Sequence, residues 1–202
     1  MIGDAAAVIV AGGAGTRMGG ASKAFLEVGG RSILERQLEV LRPLFAEVLV
    51  CAPDPVPFER FALKVVADRF PGRGAPGGVH AALAALHPEQ GGGAGWAFCV
   101  ACDMPFLRAE PIELLAGCRL DADAVVPVRS GFLEPMFAFY NVRLESSFSE
   151  ALQAGNPSLV RLLEKARLKR VSEEELAAVD PGLSTLENVN TPEELRRARK
   201  RA

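Results

Sequence analysis

Apolar and polar positions follow two rhythms along this chain, and the rhythms alternate. Short, nearly continuous apolar runs at Ala5–Ala11, Glu47–Ala52, Leu63–Ala67, Ala97–Cys102 and Asp123–Pro127 read as buried strands. Between them lie segments of helical period. Ser32–Phe45 sets Ile33, Leu34, Leu38, Leu41 and Phe45 on one side, and Gly78–Leu86 and Glu110–Cys118 read as further helices. Phe132–Tyr140 reads as extended after a turn at Ser130-Gly131. Two later helices carry start signals. Asn156-Pro157 places a capping side chain before a proline. Thr191-Pro192-Glu193-Glu194 is a capping box with proline at the first helical position.

Strands alternating with helices predict an α/β fold: a single-domain, Rossmann-like three-layer sandwich around a mostly parallel central sheet. The 202 residues, 49% of them hydrophobic, suffice for one such core. No linker divides the chain, so residues 1–202 are expected to form one domain. In an open parallel sheet the loops that follow the strands gather at one edge, where ligands bind. A formal net charge of −2 speaks against a nucleic acid held on a broad basic face. No segment approaches the roughly 20 apolar residues of a membrane span. The amino terminus runs directly into the first strand, leaving no room for a signal peptide, so a cytoplasmic protein is expected.

The strongest chemical signal is the loop after the first strand, from Ala11, Gly12 and Gly13 through Arg17, Met18, Gly19 and Gly20 to Lys23. Glycines let main-chain N–H groups approach a ligand, and two cations share the loop, which describes a phosphate cradle. It is neither common phosphate motif. A dinucleotide fingerprint requires glycine where Met18 stands, and a Walker loop requires lysine where Ala21 stands.

Other candidates fall on the same edge. Asp103 ends the Ala97–Cys102 strand within Cys102-Asp103-Met104-Pro105, which suits a Mg2+ ion, since that hard cation prefers carboxylate oxygen. Asp68 ends the third strand and either contacts a ribose or base, assists the metal, or is a solvated loop residue. Gly74-Ala75-Pro76-Gly77-Gly78 serves close backbone approach to a base or sugar, or turn formation alone. Asn188 and Asn190 complete a magnesium shell, bind an acceptor, or simply make a turn. Cys99 and Cys102 have metal-pair spacing but lie three apart on a strand, so they point to opposite faces and are read as buried thiols. His80 and His87 are too few for a zinc site. The basic end of the last helix suits the helix dipole.

Taken in order, these motifs resemble the molybdenum cofactor guanylyltransferases, nucleotidyltransferases with the nucleotide-diphospho-sugar-transferase-like fold. The similarity rests on Val10-Ala11-Gly12-Gly13 with Arg17-Met18-Gly19 and Lys23, on Asp68 ahead of Gly74–Gly78, and on Cys102-Asp103-Met104-Pro105. It continues through Glu134-Pro135-Met136-Phe137-Ala138 to the closing Asn188-Val189-Asn190-Thr191-Pro192-Glu193-Glu194.

The resemblance implies transfer of GMP from GTP to molybdopterin with release of pyrophosphate. It implies catalytic roles for Arg17, Lys23 and Asp103, with Mg2+ on Asp103. Nucleotide and acceptor contacts are implied from Val10, Ala11, Gly12, Gly13, Lys23, Asp68, Gly78, Asp103, Asn188 and Asn190. It further implies a nucleotide-binding half at about residues 1–105 and an acceptor half at about 106–202, and transient contact with other cofactor-synthesis proteins or acceptor molybdoenzymes. Cys51 departs from the pattern, standing where the family often has asparagine near the nucleotide. A cytidylyltransferase acting on molybdopterin or another phosphorylated acceptor, and an inactive nucleotide-binding regulator, are the competing readings.

Overall fold

The structure is a computed structural model that describes residues 1–12, 22–87, 93–155 and 158–202. Its main sheet is built from β1 (Ala5–Val10), β4 (Val48–Cys51), β5 (Lys64–Val66), β6 (Trp96–Ala101), β7 (Ala124–Arg129), β9 (Phe137–Asn141) and β10 (Leu168–Val171), with β8 (Phe132–Leu133) pairing β7. A separate ribbon pairs β2 (Glu27–Val28) with β3 (Arg31–Ser32). The helices are α1 (Ile33–Leu44), α2 (Ala75–Leu86), α3 (Ala109–Gly117), α4 (Glu145–Ala154), α5 (Leu159–Leu163), α6 (Glu173–Ala177) and α7 (Pro192–Arg201).

The strand order is β10-β7-β9-β6-β1-β4-β5. The pairs β1–β4, β1–β6, β4–β5 and β7–β10 are parallel. Only β9, inserted between β6 and β7, and the short β8 run against the rest. The order turns about β1: the chain goes from β1 outward to β4 and β5, then returns to place β6 on the other side. That switch point opens a crevice beyond the carboxyl ends of β1 and β6.

Period-two alternation on β1 supplies both faces of the sheet. Ala5, Ala7 and Ile9 join a core with Leu34, Leu38 and Leu41 of α1, Ile112 and Leu115 of α3 and Leu176 of α6. Ala6 and Val8 join an opposite core with Val79 and Leu83 of α2, Phe148 of α4 and Leu163 of α5. Each buried leucine or phenylalanine contributes about 1.5–3 kcal/mol of transfer free energy. A third, small cluster seats α7 on the ribbon through Val28, Ile33, Val189, Leu195 and Ala198. The result is the three-layer arrangement that the alternating pattern predicts.

Most element bounds agree with the sequence reading to within one or two residues, with one informative exception. The helix expected to begin at Gly78 begins at Ala75, with Gly74 as its cap at φ +62° and Pro76 in its first turn. The Asn156-Pro157 cap lies outside the described residues; the short α5 that follows is capped by Ser158, whose hydroxyl accepts the Arg161 N–H at 3.3 Å. The Thr191 capping box is present. Among the described residues, no helix is long and apolar enough to cross a membrane.

Candidate nucleotide and acceptor site

The carboxyl ends of β1, β4 and β6 surround a cavity of about 420 Å³. Val10, Ala11 and Gly12 border it from β1, Ala52, Pro53 and Asp54 from β4, and Ala101, Cys102 and Asp103 from β6. Gly74 and Ala75, at the amino end of α2, complete part of the rim. No side chain caps that helix, so its first-turn N–H groups and positive dipole end favour an anion nearby. Met136, just before β9, also borders the cavity and ties the Glu134–Ala138 segment to the site.

Lys23 is the hub of the polar wall. It opens a short 3-10 turn, Lys23–Phe25. Its Nζ donates to Asp103 Oδ2 at 3.0 Å and to Asn190 Oδ1 at 2.6 Å. Asp103 and Asn190 are 80 and 167 positions from Lys23 in sequence, so only the fold brings the three together. The main chain fixes the same junction, because the Val189 N–H donates to the Asp103 carbonyl at 2.8 Å. Asn190 is held from behind by Glu194, whose carboxylate accepts the Asn190 and Thr191 N–H groups at 2.7 and 2.9 Å. Those hydrogen bonds, foremost the one from Asn190, draw the Glu194 pKa below the usual carboxylate value.

A second cavity, about 590 Å³, lies on the far side of this junction. It is bordered by Pro105, Phe106, Arg129, Asn188, Asn190 and Arg197, among others. Asn190 thus touches both Lys23 and the second cavity, while Asn188 belongs to the second cavity alone.

Several candidates receive packing roles. Gly78 is buried, and a Cβ added there would meet Val10 Cγ1 at 2.4 Å. A Cβ on Gly77 would meet Asp68 Oδ2 at 2.6 Å. The paired glycines therefore let α2 approach β1 and Asp68, a reason that neither turn formation nor ligand approach supplies. Gly78 is absent from the described lining of the cavity, whereas Gly74 and Ala75 are present. Asp68 is also absent from that lining; its Oδ1 accepts the Phe70 N–H at 2.7 Å and shapes the loop before α2. Gly13 and Arg17 lie outside the described residues.

All four cysteines are free thiols, Cys51 and Cys99 buried and Cys102 and Cys118 half-buried. Cys99, on β6, packs in the core on the α2 side, while Cys102, just past the end of β6, packs against the opposite core. Burial, reinforced by the Asp103 charge, pushes the Cys102 thiol up to about 12. Burial, with the Asp68 charge, does the same to Cys51, also to about 12. Among the described residues, no group of three or more His, Cys, Asp or Glu side chains is placed to hold a metal ion.

Sequence reasoning missed Gln37. It is fully buried on α1, and its Nε2 donates to the Ala101 carbonyl at 2.8 Å and the Met104 carbonyl at 3.1 Å. Arg36 adds a bond from Nε to the Pro105 carbonyl at 3.1 Å. Helix α1 therefore clamps both ends of the loop that carries Asp103. The signal was available: Gln37 falls on the same face as Ile33, Leu34 and Leu41, and a polar residue on an apolar stripe needs a buried partner.

Comparison with known proteins agrees with this geometry. Residues 7–172 match the family model described as the MobA-like NTP transferase domain. A molybdenum cofactor guanylyltransferase of Desulfosudis oleivorans is 32% identical over 192 residues, covering 95% of this chain and 92% of that protein. A probable molybdenum cofactor guanylyltransferase of Pelotomaculum thermopropionicum is 36% identical, covering 97% and 92%. The crystal structure of molybdopterin-guanine dinucleotide biosynthesis protein A from Archaeoglobus fulgidus superposes with a TM-score of 0.80 at 27% identity, covering 97% of each chain. A 2-C-methyl-D-erythritol 4-phosphate cytidylyltransferase of Thermus thermophilus shares the fold, with a TM-score of 0.67 at 19% identity, covering 96% of each chain.

Proposed function

This chain belongs to the MobA-like NTP transferase family and is a nucleotidyltransferase, and from that premise we propose that it transfers GMP from GTP to the phosphate of molybdopterin. The acceptor phosphate oxygen attacks the α-phosphorus, the bond from that phosphorus to the β-phosphate bridging oxygen breaks, and pyrophosphate leaves with the electron pair. The choice of GMP and molybdopterin rests on relatives named as guanylyltransferases that align over nearly the whole chain.

One observation carries the reading of the site: the Lys23–Asp103–Asn190 junction stands where two cavities meet. Apart from Met136, the described residues around the first cavity precede residue 105, and those around the second begin there. That division supports a nucleotide-binding half and an acceptor-binding half. In this reading GTP occupies the first cavity, with its triphosphate along Gly12 and the amino end of α2. Molybdopterin occupies the second and presents its phosphate beside Asn190. An acceptor phosphate is already ionised near neutral pH, so no general base is required. Lys23 releases Asp103 and carries its charge to the phosphoryl oxygens, where negative charge accumulates. Arg17 and the main-chain N–H groups of Gly12 and Gly13 are assigned to the same polyphosphate.

The donor set suits Mg2+. Asp103 offers one hard carboxylate at the wall, Asn190 offers a carboxamide oxygen, and no all-protein cage exists among the described residues. That is the pattern for an ion that keeps waters and completes its shell with substrate phosphates. When bound, such an ion supplies Lewis-acid neutralisation of phosphoryl charge. Asp103 would hold it, and Gln37 and Arg36 would keep Asp103 in place.

The test is incubation of the purified chain with molybdopterin, Mg2+ and either GTP or CTP, followed by mass analysis of the product and measurement of pyrophosphate. A guanine dinucleotide formed from GTP, with pyrophosphate released only when molybdopterin is present, is expected. Product from CTP alone would replace the proposal with the cytidylyl reading, and no product from either would favour the inactive regulator.

A further inference from the structure

The first cavity has two chemically different ends. Lys23 and Asp103 neutralise each other at one. At the other, the loop after β4 presents Ala52, Pro53, Pro57 and Phe58, an apolar slot of the kind a flat heterocycle fills. Among the residues of that loop that line the cavity, one is charged, the exposed Asp54. Its Oδ1 accepts the Val56 N–H at 3.0 Å, a local turn that fixes the carboxylate ahead of the 3-10 segment Val56–Phe61. Among the described residues its second oxygen meets no hydrogen-bond donor. The preceding strand end offers no alternative polar group, because Cys51 is fully buried.

Position supports a base-reading role. The strand order β6-β1-β4 sets the Asp54 loop two strands from the Asp103 loop. At about 4.8 Å per strand, the separation is roughly 10 Å. A nucleotide whose phosphates lie at Lys23 and Gly12 therefore extends its base toward Asp54.

Building on the guanylyl reading, we infer that Asp54 selects guanine by accepting hydrogen bonds from N1–H and the N2 amino group. A carboxylate is an acceptor only. Guanine presents two adjacent N–H donors on its pairing edge. Cytosine and adenine present one amino group beside an acceptor nitrogen, and uracil presents one N–H between two carbonyls. Against those edges Asp54 loses at least one bond and faces a repelling lone pair, a large penalty in a site built on hydrogen bonds.

The experiment is a calorimetric titration of the full-length chain and of Asp54→Asn with GTP, ITP and CTP in the presence of Mg2+. ITP is GTP without the N2 amino group. Asparagine keeps the oxygen that caps Val56 but turns the other acceptor into a donor. Wild type is expected to bind GTP about ten-fold tighter than ITP, the factor given by about 1.4 kcal/mol for one bond of a bidentate pair. Asp54→Asn is expected to bring GTP within about two-fold of ITP and to weaken GTP at least ten-fold. Thermal melts verify that the variant is folded, and Asp54→Ser, which also keeps the cap, repeats the measurement should asparagine unfold the loop. If wild type binds GTP and the variant keeps the same GTP-to-ITP ratio, Asp54 does not read the base while the guanylyl reading stands. If wild type prefers CTP, or binds none of the three, the guanylyl reading fails and the inference fails with it.

Discussion

Gly78→Ala tests whether α2 is held against β1 as closely as the structure requires. A methyl group at position 78 would lie 2.4 Å from Val10 Cγ1, while the other two Val10 atoms within reach stand at ordinary distances of 3.6 and 3.7 Å. Normal carbon contact begins near about 3.5 Å, so one pair must separate by about 1 Å. Valine is stiff at χ1. Strand β1 cannot retreat, because it is paired in register with β4 on one side and β6 on the other. Overpacking of this kind costs about 1–3 kcal/mol. Replacing glycine by alanine in a helix returns up to about 1 kcal/mol, so the expected net loss is about 1 kcal/mol.

Because the two terms oppose, the decisive measurement is a double-mutant cycle with Val10→Ala, which removes the colliding methyl. Urea unfolding of wild type, both single variants and the double variant gives the four stabilities, provided the denaturant slope stays constant. In the Val10→Ala background, Gly78→Ala should stabilise by about 0.5–1 kcal/mol, giving a coupling of about 1.5–2 kcal/mol. Equal effects in the two backgrounds, within about 0.3 kcal/mol, would refute the close approach. Val10 also borders the first cavity, so Gly78→Ala alone should raise the KM for GTP, and the double variant should restore it in part.

Asp103→Asn should lower steady-state turnover by about 10²-fold or more while leaving the melting curve near wild type, since electrostatic stabilisation of the reacting phosphoryl group is lost. Lys23→Ala should weaken GTP binding in the same titration series, and its affinity should fall less steeply with added salt. Asp123 links the starts of β7 and β10 through Arg167, whose N and Nε donate to Oδ2 at 2.8 and 3.2 Å, and pairs also with Arg143. Burial alone would raise the Asp123 pKa, but the Arg167 hydrogen bonds and the two arginine charges outweigh it, and the net shift is downward. A lowered folded-state value means stability present above the unfolded carboxylate pKa of about 3.9 and lost as pH falls through the lower native value. Asp123→Asn should therefore cost about 1 kcal/mol at pH 7, and denaturant midpoints of the two proteins should converge below about pH 4. Cys99→Ser with Cys102→Ser should leave turnover largely intact; lost activity in a folded variant would reopen a metal or redox role for these two cysteines.

What was legible in the sequence divides along a physical line. The strands of the main sheet near β1 are buried on both faces, so their apolar runs mark them directly, and the sheet edge that carries Lys23, Asp103 and Asn190 follows from that alternation. Strand β10 escaped because it is a sheet edge: Lys169 and Arg170 are exposed, and charge on an edge strand protects it from pairing with other chains while erasing the hydrophobic signal. The reversed β9 escaped as a topology because an extended segment does not announce its direction. The glycines of the Gly74–Gly78 segment left ligand approach and turn formation both open, since a missing Cβ leaves the same mark whether a ligand or, as at Gly78, a valine methyl fills the space. Gln37 and Asp54 share a different difficulty. Each is an ordinary residue type at an ordinary position, and its meaning lies in what the fold sets beside it: two carbonyls of the Asp103 loop for Gln37, and the apolar residues Ala52, Pro53, Pro57 and Phe58 of the first cavity for Asp54. Motifs mark the residues proposed to meet the phosphates because that chemistry fixes residue type and spacing together. The groups that position those residues are fixed only by three-dimensional neighbourhood, which is why α1, outside every motif, emerges as the element that holds the Asp103 loop in place.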